Sequence, residues 1–318
     1  AESETKTLFE ILYAQRARGV SIIYISHRLE EIFYLADKIS VLKDGKYQGT
    51  FDAKSLTKDA LIQKMVGRTL KAMRKGSAKT EEVVLRAKNL NSKKFSNISF
   101  QLNKGEIVGF AGLVGAGRTE IARAIFGLEH ITSGEITFNN AEFMPKHPAE
   151  AIRKGFAFVT EERKRLGLFP EMSIQDNIVV ACLDSAMPGG IYNRGTANKL
   201  ASGSKSKLKI AANSIQQRVV NLSGGNQQKV MLAKWLLTSP EVLIVDEPTH
   251  GIDIGAKYEV YEILKSLAAE GKSIIMISSE LPELIGLCDR IIVLKKGTIA
   301  GEVSGEDMTE ENIMTLAT

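Results

Sequence analysis

The sequence predicts an α/β fold built on a mostly parallel sheet, preceded by a piece of a second, related domain. Three observations carry this. Short apolar runs at Ile107–Ala111, Gly155–Val159, Val242–Val245, Ile274–Ile277 and Ile291–Leu294 read as strands buried on both faces. Helical stretches lie between several of them, which is the alternation that parallel strands need. Finally, a segment near the start of the chain returns near its end.

That return is specific. Ser21-Ile-Ile-Tyr-Ile-Ser-His27 reappears as Ser273-Ile-Ile-Met-Ile-Ser-Ser279, an offset of 252 residues, and about 14 of the 25 residues from Ser21 to Gly45 are identical without a gap. The match runs back through Phe9–Leu12 against Tyr261–Leu264, and forward to Gly49 against Gly301 and Leu61-Ile62 against Ile313-Met314. Residues 1–66 therefore read as the C-terminal remnant of a first domain. No counterpart of residues 81–252 precedes them, which implies a processed or truncated form of a longer tandem protein, with a deliberately short module as the alternative. Residues 67–80, basic, small and without periodicity, read as a linker, and 81–318 as the second domain. Residues from about 170 to 235 lack strand–helix alternation and look more helical, so they are expected to form a subdomain inserted on the core.

Composition limits the function classes. Hydrophobic residues make up 44% and charged residues 25%, an ordinary balance for a chain with a buried core. The net charge is +5, but acids and bases are interspersed, as in Glu161-Glu162-Arg163-Lys164-Arg165, and aromatics are only 6%. That argues for a mixed solvated surface and against nucleic acid as a partner. The two cysteines, Cys182 and Cys288, have no metal-ligand spacing and suit a reducing compartment. No apolar run reaches the roughly 18 residues of a membrane span. A membrane role is therefore expected to run through another subunit, from the cytoplasmic side.

Gly112-Leu-Val-Gly-Ala-Gly-Arg-Thr119 follows the strand Ile107–Ala111 and precedes a helical stretch, Glu120–Phe126. This is the strand–loop–helix setting of a phosphate-binding loop. Glycines let the backbone N–H groups of Gly112, Gly115, Ala116 and Gly117 turn toward phosphates, and the helix start adds partial positive charge. Thr119 stands where a hydroxyl ligates Mg²⁺, and Glu120 follows it. Arg118 occupies the place of the usual lysine. Its planar fork is expected to keep affinity for phosphate while impairing the geometry of transfer.

Leu222-Ser-Gly-Gly-Asn-Gln-Gln228 comes next, at the start of a helical stretch Lys229–Leu237, with Ser223, Gly224 and Gly225 suited to an anionic ligand. The apolar strand Val242–Val245 then ends in two acids, Asp246 and Glu247. Val242–Glu247 resembles the Walker B strand of ABC ATPases, and that resemblance implies Asp246 at Mg²⁺ through water and Glu247 polarising the attacking water.

Gly-Leu-Val-Gly-Ala-Gly-Arg-Thr-Glu120, Thr160-Glu-Glu-Arg-Lys164, Leu-Ser-Gly-Gly-Asn-Gln-Gln-Lys229 and Ile277-Ser-Ser-Glu-Leu-Pro-Glu283 together resemble one family. It is that of the tandem ABC-type ATPases that drive import of ribose, galactose, xylose and related sugars. The likeness covers essentially the whole chain, as the second half and the end of the first. It implies an ABC-type ATPase fold with a parallel core, an antiparallel β portion and the helical subdomain, and it implies ATP and Mg²⁺ as cofactors. By the same resemblance, Ser223–Gly225 would reach the γ-phosphate of ATP held by an opposing domain, so the working unit is a homo- or intramolecular dimer. Glu161 stands for the loop residue that senses Mg²⁺ and contacts the permease. His27 is the switch histidine of the first repeat, and Ser279 replaces it in the second.

Arginine at 118 and serine at 279 are habitual in the second half of that family. The implied site of this chain (Arg118, Asp246, Glu247, Ser279) thus binds nucleotide and turns over poorly, while His27 and Ser223–Gly225 serve the competent one. The implied partners are integral-membrane sugar permease subunits and, indirectly, an extracytoplasmic sugar-binding protein. The implied location is peripheral, on the cytoplasmic face of the inner membrane. Two other readings stand beside this one. The first is a non-catalytic regulatory or structural fragment, and the second a soluble tandem ATPase acting on nucleic-acid machinery. Phe95 is the nearest upstream aromatic that could stack on adenine, with a plain core role as the favoured reading.

Overall fold

The computed structural model describes residues 2–26, 28–43, 46–66 and 78–318. His27 and most of the expected linker, residues 67–77, lie outside the described residues. The described residues fall into two compact units, the first within 1–69 together with Asp253–Gly255, the second within 70–252 and 256–318.

The first unit holds α1 (Glu2–Ala17), α2 (Leu29–Leu35), β1 (Lys38–Lys43), β2 (Lys46–Asp52) and α3 (Lys58–Val66). Strands β1 and β2 form an antiparallel hairpin that pairs Ile39 with Phe51 and Val41 with Gly49, and its register shifts between Val41 and Leu42. Leu29, Ile39, Val41, Ala53 and Leu61 make a small core. Residues 20–26 form no strand, although they repeat a sequence that reads as one. Ile23 and Ile25 are 92% and 93% exposed there.

The second unit opens with β3 (Val83–Asn91), β4 (Ile98–Asn103) and β5 (Ile107–Gly112), followed by α4 (Arg118–Ile125). Next come β6 (Ser133–Phe138), β7 (Ala141–Glu142), α5 (Pro148–Arg153) and β8 (Phe156–Val159). The helical region follows with α6 (Ile174–Val179), α7 (Arg194–Lys207) and α8 (Gly224–Leu236), joined by short 3₁₀ turns. The chain then alternates through β9 (Val242–Asp246), α9 (Ile254–Ala269), β10 (Ser273–Ile277) and α10 (Leu281–Leu287). It closes with β11 (Arg290–Lys295), β12 (Thr298–Ser304) and α11 (Glu310–Ala317).

Six strands form the main sheet in the order β12-β11-β5-β10-β9-β8. All neighbours are parallel except β11 and β12. Its central strands β9 and β10 are buried at every residue, as apolar runs without alternation require. A second, antiparallel sheet has the order β4-β3-β6-β7, and β4 alternates buried and exposed side chains along most of its length. The two sheets share one core, in which the rings of Phe138, Phe143 and Phe156 pack together and Phe126 meets Phe158 and Trp235. Phe95 is 3% exposed in that core, so it packs rather than offering a ring to a ligand.

The start of β5 is pinned by charge. Asp289 Oδ2 accepts the backbone N–H of Ile107 at 2.8 Å. Beside it the fully buried Glu106 accepts from Arg290 Nε at 2.8 Å and from the Asn103 N–H at 2.8 Å, with Lys79 Nζ at 3.0 Å. Burial pushes the Glu106 carboxyl upward, but these cations and donors win and hold it below the usual carboxylate range. Breaking a pair this buried by removing one partner would leave an uncompensated charge. The helical region holds α6, α7 and α8. Its last helix, α8, packs both on α6 and on β8, so it belongs to the core as much as to the subdomain.

Candidate functional site

Parallel strands bring their C-terminal ends to one edge, and α/β sheets bind ligands there. At that edge β5 runs into the glycine loop, β9 ends at Asp246 and β10 ends before Ser278.

The loop is a tight nest. Gly112, Gly115 and Gly117 all have positive φ, and Gly117 is the left-handed N-cap of α4. At Gly112 only glycine fits: φ is +151°, and a Cβ would lie 2.5 Å from the carbonyl oxygen of Leu294 and 2.9 Å from the Ala116 side chain. The Ala116 N–H closes a turn on Leu113 O at 2.9 Å, and Gly297 N donates to Ala116 O at 3.0 Å. Val114, at the loop tip, is 97% exposed. Glu120 lies in the first turn of α4, with its carboxylate 4.0 Å from Lys94 Nζ.

Arg118 makes a bond within the protein as well. Its Nη1 donates to the carbonyl of Ser278 at 3.0 Å, linking the loop to the end of β10. Glu247 sits with φ at 47°, a left-handed conformation that a non-glycine residue adopts at a cost of about 1–3 kcal/mol. Its N–H donates to Ile277 O at 2.9 Å, and its carboxylate accepts from Ser279 Oγ at 3.1 Å. Burial raises the Glu247 carboxyl above its ordinary value, opposed by Arg118 and by the Ser279 hydroxyl.

Asp246 is 2% exposed. Burial pushes its carboxyl up to about 7; Thr119, through a hydrogen bond, and Arg118 oppose this, while the charges of Glu247 and Glu161 add to it. Its Oδ1 is buried with no hydrogen-bond partner. A buried, unpartnered carboxylate oxygen beside a threonine hydroxyl is an all-oxygen set that fits a hard divalent cation such as Mg²⁺. No cluster of three or more His, Cys, Asp or Glu side chains suited to a metal occurs among the described residues.

The Ser223–Gly225 group heads α8. Ser223 is exposed and caps the helix, accepting from Asn226 N. Gly225 permits a close approach, since a Cβ there would lie 2.3 Å from that of Ala256. Glu161 is exposed, and its Oε1 lies 3.8 Å from His250 Nδ1. The structure thus gathers Arg118, Thr119, Asp246, Glu247 and Ser279 at one rim and puts Ser223–Gly225 at the start of another helix. His27 lies outside the described residues.

Two residues that sequence reasoning missed tie these pieces together. Arg163, two residues after Glu161, donates to the carbonyls of His250 at 2.6 Å and Gly251 at 3.0 Å, and reaches Gln227 Oε1 on α8 at 3.4 Å. Glu283 is buried in α10 and accepts from Thr249, Tyr261 and Ser278. Both lie inside motifs quoted above, but spacing alone gives no sign of partners that are close only in the fold.

Residues 95–250 match the family model described as ABC transporter. The chain is 48% identical over 322 residues to the galactose/methyl galactoside import ATP-binding protein of Clostridium tetani, covering 100% of this chain and 64% of that one. It is 46% identical over 318 residues to the ribose import ATP-binding protein of Lactococcus lactis subsp. cremoris, covering 100% of this chain and 65% of the relative. The chain thus spans less than two thirds of the length of these curated relatives. Among solved structures, an ATP-binding cassette of an ABC transporter in its ADP conformation superposes with a TM-score of 0.62 at 20% identity, covering 74% of this chain and 98% of that one. A component of an ABC transporter complex from Clostridium perfringens superposes with a TM-score of 0.62 at 21% identity, covering 74% and 94%. At such identities the likeness speaks to the fold alone.

Proposed function

We propose that the chain carries an ATPase domain of the ABC transporter family and that it is an ATP-binding, energy-coupling part of an importer of a monosaccharide such as ribose, galactose or xylose. One observation carries the reading: Arg118, Thr119, Asp246, Glu247 and Ser279 converge on the rim of three adjacent parallel strands, beyond a glycine nest. Its N–H groups and the start of α4 bind the phosphates of ATP. Thr119 and Asp246 would hold Mg²⁺, which would neutralise charge on the phosphate oxygens. Glu247 orients water at the terminal phosphate, and its raised carboxyl suits a proton acceptor.

Arg118 and Ser279 make this a nucleotide-holding site with slow turnover. The guanidinium already serves the Ser278 carbonyl, and a serine hydroxyl stands where the first repeat has His27. Ser223–Gly225 is left to complete a second site on a facing domain, to which His27 also belongs. The partners are then a second such domain and membrane permease subunits, with a sugar-binding protein acting through them from the far side. Exposed apolar side chains at Leu166, Phe169, Met172, Leu183 and Ile191 offer the permease an apolar surface. No helix among the described residues is long and apolar enough to cross a membrane. A peripheral place on the cytoplasmic face of the inner membrane follows from the permease contact.

Steady-state turnover and equilibrium binding of Mg-ATP test the reading, with Glu247→Gln as control. Saturable binding with little turnover is expected. Brisk turnover abolished by Glu247→Gln would sink the slow-site reading, and no binding at millimolar Mg-ATP would sink the nucleotide reading itself.

A further inference from the structure

Glu283 is 2% exposed, yet it lies in no phosphate-binding motif. Its Oε1 accepts from Tyr261 OH at 2.6 Å, from Thr249 Oγ1, and more weakly from Lys257 Nζ at 3.5 Å. Its Oε2 accepts from Ser278 Oγ at 2.8 Å. The donors come from the turn after β9, from α9 and from the end of β10. One buried carboxylate thus joins the segment that carries Glu247 to the segment that carries Ser279. Both neighbours of the hub act at the rim: the Ser278 carbonyl receives Arg118, and the Ser279 hydroxyl donates to Glu247.

The first repeat separates the local part of this device from the rest. Glu31, the counterpart of Glu283, accepts from Ser26 Oγ at 2.8 Å. The Arg28 N–H donates to Ser26 Oγ at 3.0 Å, as the Glu280 N–H does to Ser278 Oγ at 3.0 Å. The serine–glutamate brace is therefore repeated. There, however, the remaining bonds stay local, from Tyr24 OH at 2.8 Å and Arg28 Nη1 at 3.0 Å. Phe9 stands where α9 has Tyr261, and it has no hydroxyl to give. Among the described residues, the second copy's carboxylate binds across elements, in the segments that carry Glu247 and Ser279.

We propose that Glu283 is a positioning residue that holds Glu247, Ser279 and the Arg118–Ser278 link in register with the terminal phosphate of a bound nucleoside triphosphate. The inference rests on the nucleotide-site reading above and assigns Glu283 no contact with the nucleotide. Its effect should therefore be specific to the terminal phosphate. Loss of the hub loosens the rim that faces it, while the glycine loop that grips the inner phosphates stays intact.

The test is the ratio of affinities for Mg²⁺ complexes of a non-hydrolysable ATP analogue and of ADP, measured on the full chain. Glu283→Gln keeps the size but turns an N–H₂ toward a ring of donors. Its affinity for the ATP analogue should fall about tenfold while that for ADP stays within about twofold, since an unmet buried charged hydrogen bond carries this order of effect. Equal losses for both nucleotides, or no change in the ratio, would overturn the proposal and leave Glu283 a structural brace. Should Glu283→Gln fail to fold, Tyr261→Phe removes one donor and keeps the carboxylate. A two- to threefold fall in the same ratio is expected there, roughly the share of one bond, and an unchanged ratio again overturns it. Wild-type chain that binds neither nucleotide would bring down the site reading along with this one. Binding by wild type with an insensitive ratio would bring down this one alone.

Discussion

The two repeats place nearly the same sequence in two surroundings. Helix α1 matches α9 and α2 matches α10 at the offset of 252 residues, and the hairpin β1–β2 matches β11–β12. Even the pairing agrees: Val41 faces Gly49 as Val293 faces Gly301, and both hairpins shift register at the next residue. One element differs. Ser273–Ile277 is a strand buried along its length between β5 and β9, whereas 21–25 is not a strand. Helices and hairpins draw their hydrogen bonds from nearby chain, so each copy can form them unaided. A central parallel strand takes all of its bonds from distant neighbours, and the described residues of the first unit include no counterpart of β5 or β9. A strand of this kind is a property of its sheet.

Hydrogen exchange should separate the copies most widely. Amides of Ile274–Ile277 are expected to open only with the whole sheet and those of Ile22–Ser26 to exchange almost freely, a contrast on the order of 10⁴-fold or more. Comparable protection of the two segments, read by mass spectrometry, would mean that residues 22–26 find strand partners in solution. Matched truncations come next. Ile275→Ala should cost about 2–5 kcal/mol because it empties a fully buried position. Ile23→Ala, at the matching place, should stay within about 0.5 kcal/mol because its side chain already meets water. Denaturant melts of both variants check the pair, and similar losses would refute the contrast.

The main sheet also buries an ionisable group of its own. Asp246 has its folded-state carboxyl raised to about 7 from an ordinary 3.8. A raised carboxyl favours the folded state fully below the unfolded value, and that favour is lost as pH rises through the folded one. Between pH 4 and 7, wild type therefore gives up stability that Asp246→Asn keeps. At pH 8 the variant should be the more stable by about 1–4 kcal/mol, an order-of-magnitude figure from the linkage relation. Its advantage in Tm should shrink steadily toward pH 4. A Tm difference that does not change over this range would show that Asp246 is charged throughout.

Much of this was legible beforehand. The apolar runs gave the parallel strands within a residue or so, because strands buried on both faces leave no alternation to misread. The glycine loop and the Asp246–Glu247 pair were readable because each motif is local in the chain. The coil at 20–26 was not, since its sequence matches a strand and only contacts far along the chain decide between the two. Arg163 and Glu283 were hidden for the converse reason. Each looks like a surface charge in sequence and gains its meaning from groups far along the chain that converge on it. Arg118 was read as a phosphate ligand from its place in the loop, and its bond to Ser278 emerges only when β5 and β10 lie side by side.

The smallest contrast concerns matched aspartates. Asp289 gives a carboxylate oxygen to the Ile107 N–H, at the start of the strand that leads into the glycine loop. Asp37 stands at the same place in the first repeat, where the described residues supply no such strand, and it pairs instead with Arg16 at 2.6 Å. Its side chain is 69% exposed, so that ion pair is screened and its loss should change stability by no more than about 0.5 kcal/mol. Asp289→Ala leaves a buried strand-end N–H without an acceptor and should cost about 1–3 kcal/mol. Asp289→Asn restores an acceptor without the charge and should recover part of that loss. Should Asp37→Ala and Asp289→Ala prove equally mild in urea melts, the anchor at β5 would be redundant with the Glu106–Arg290 pair. The difference between the repeats would then narrow, among the described residues, to Ser273–Ile277 against 21–25.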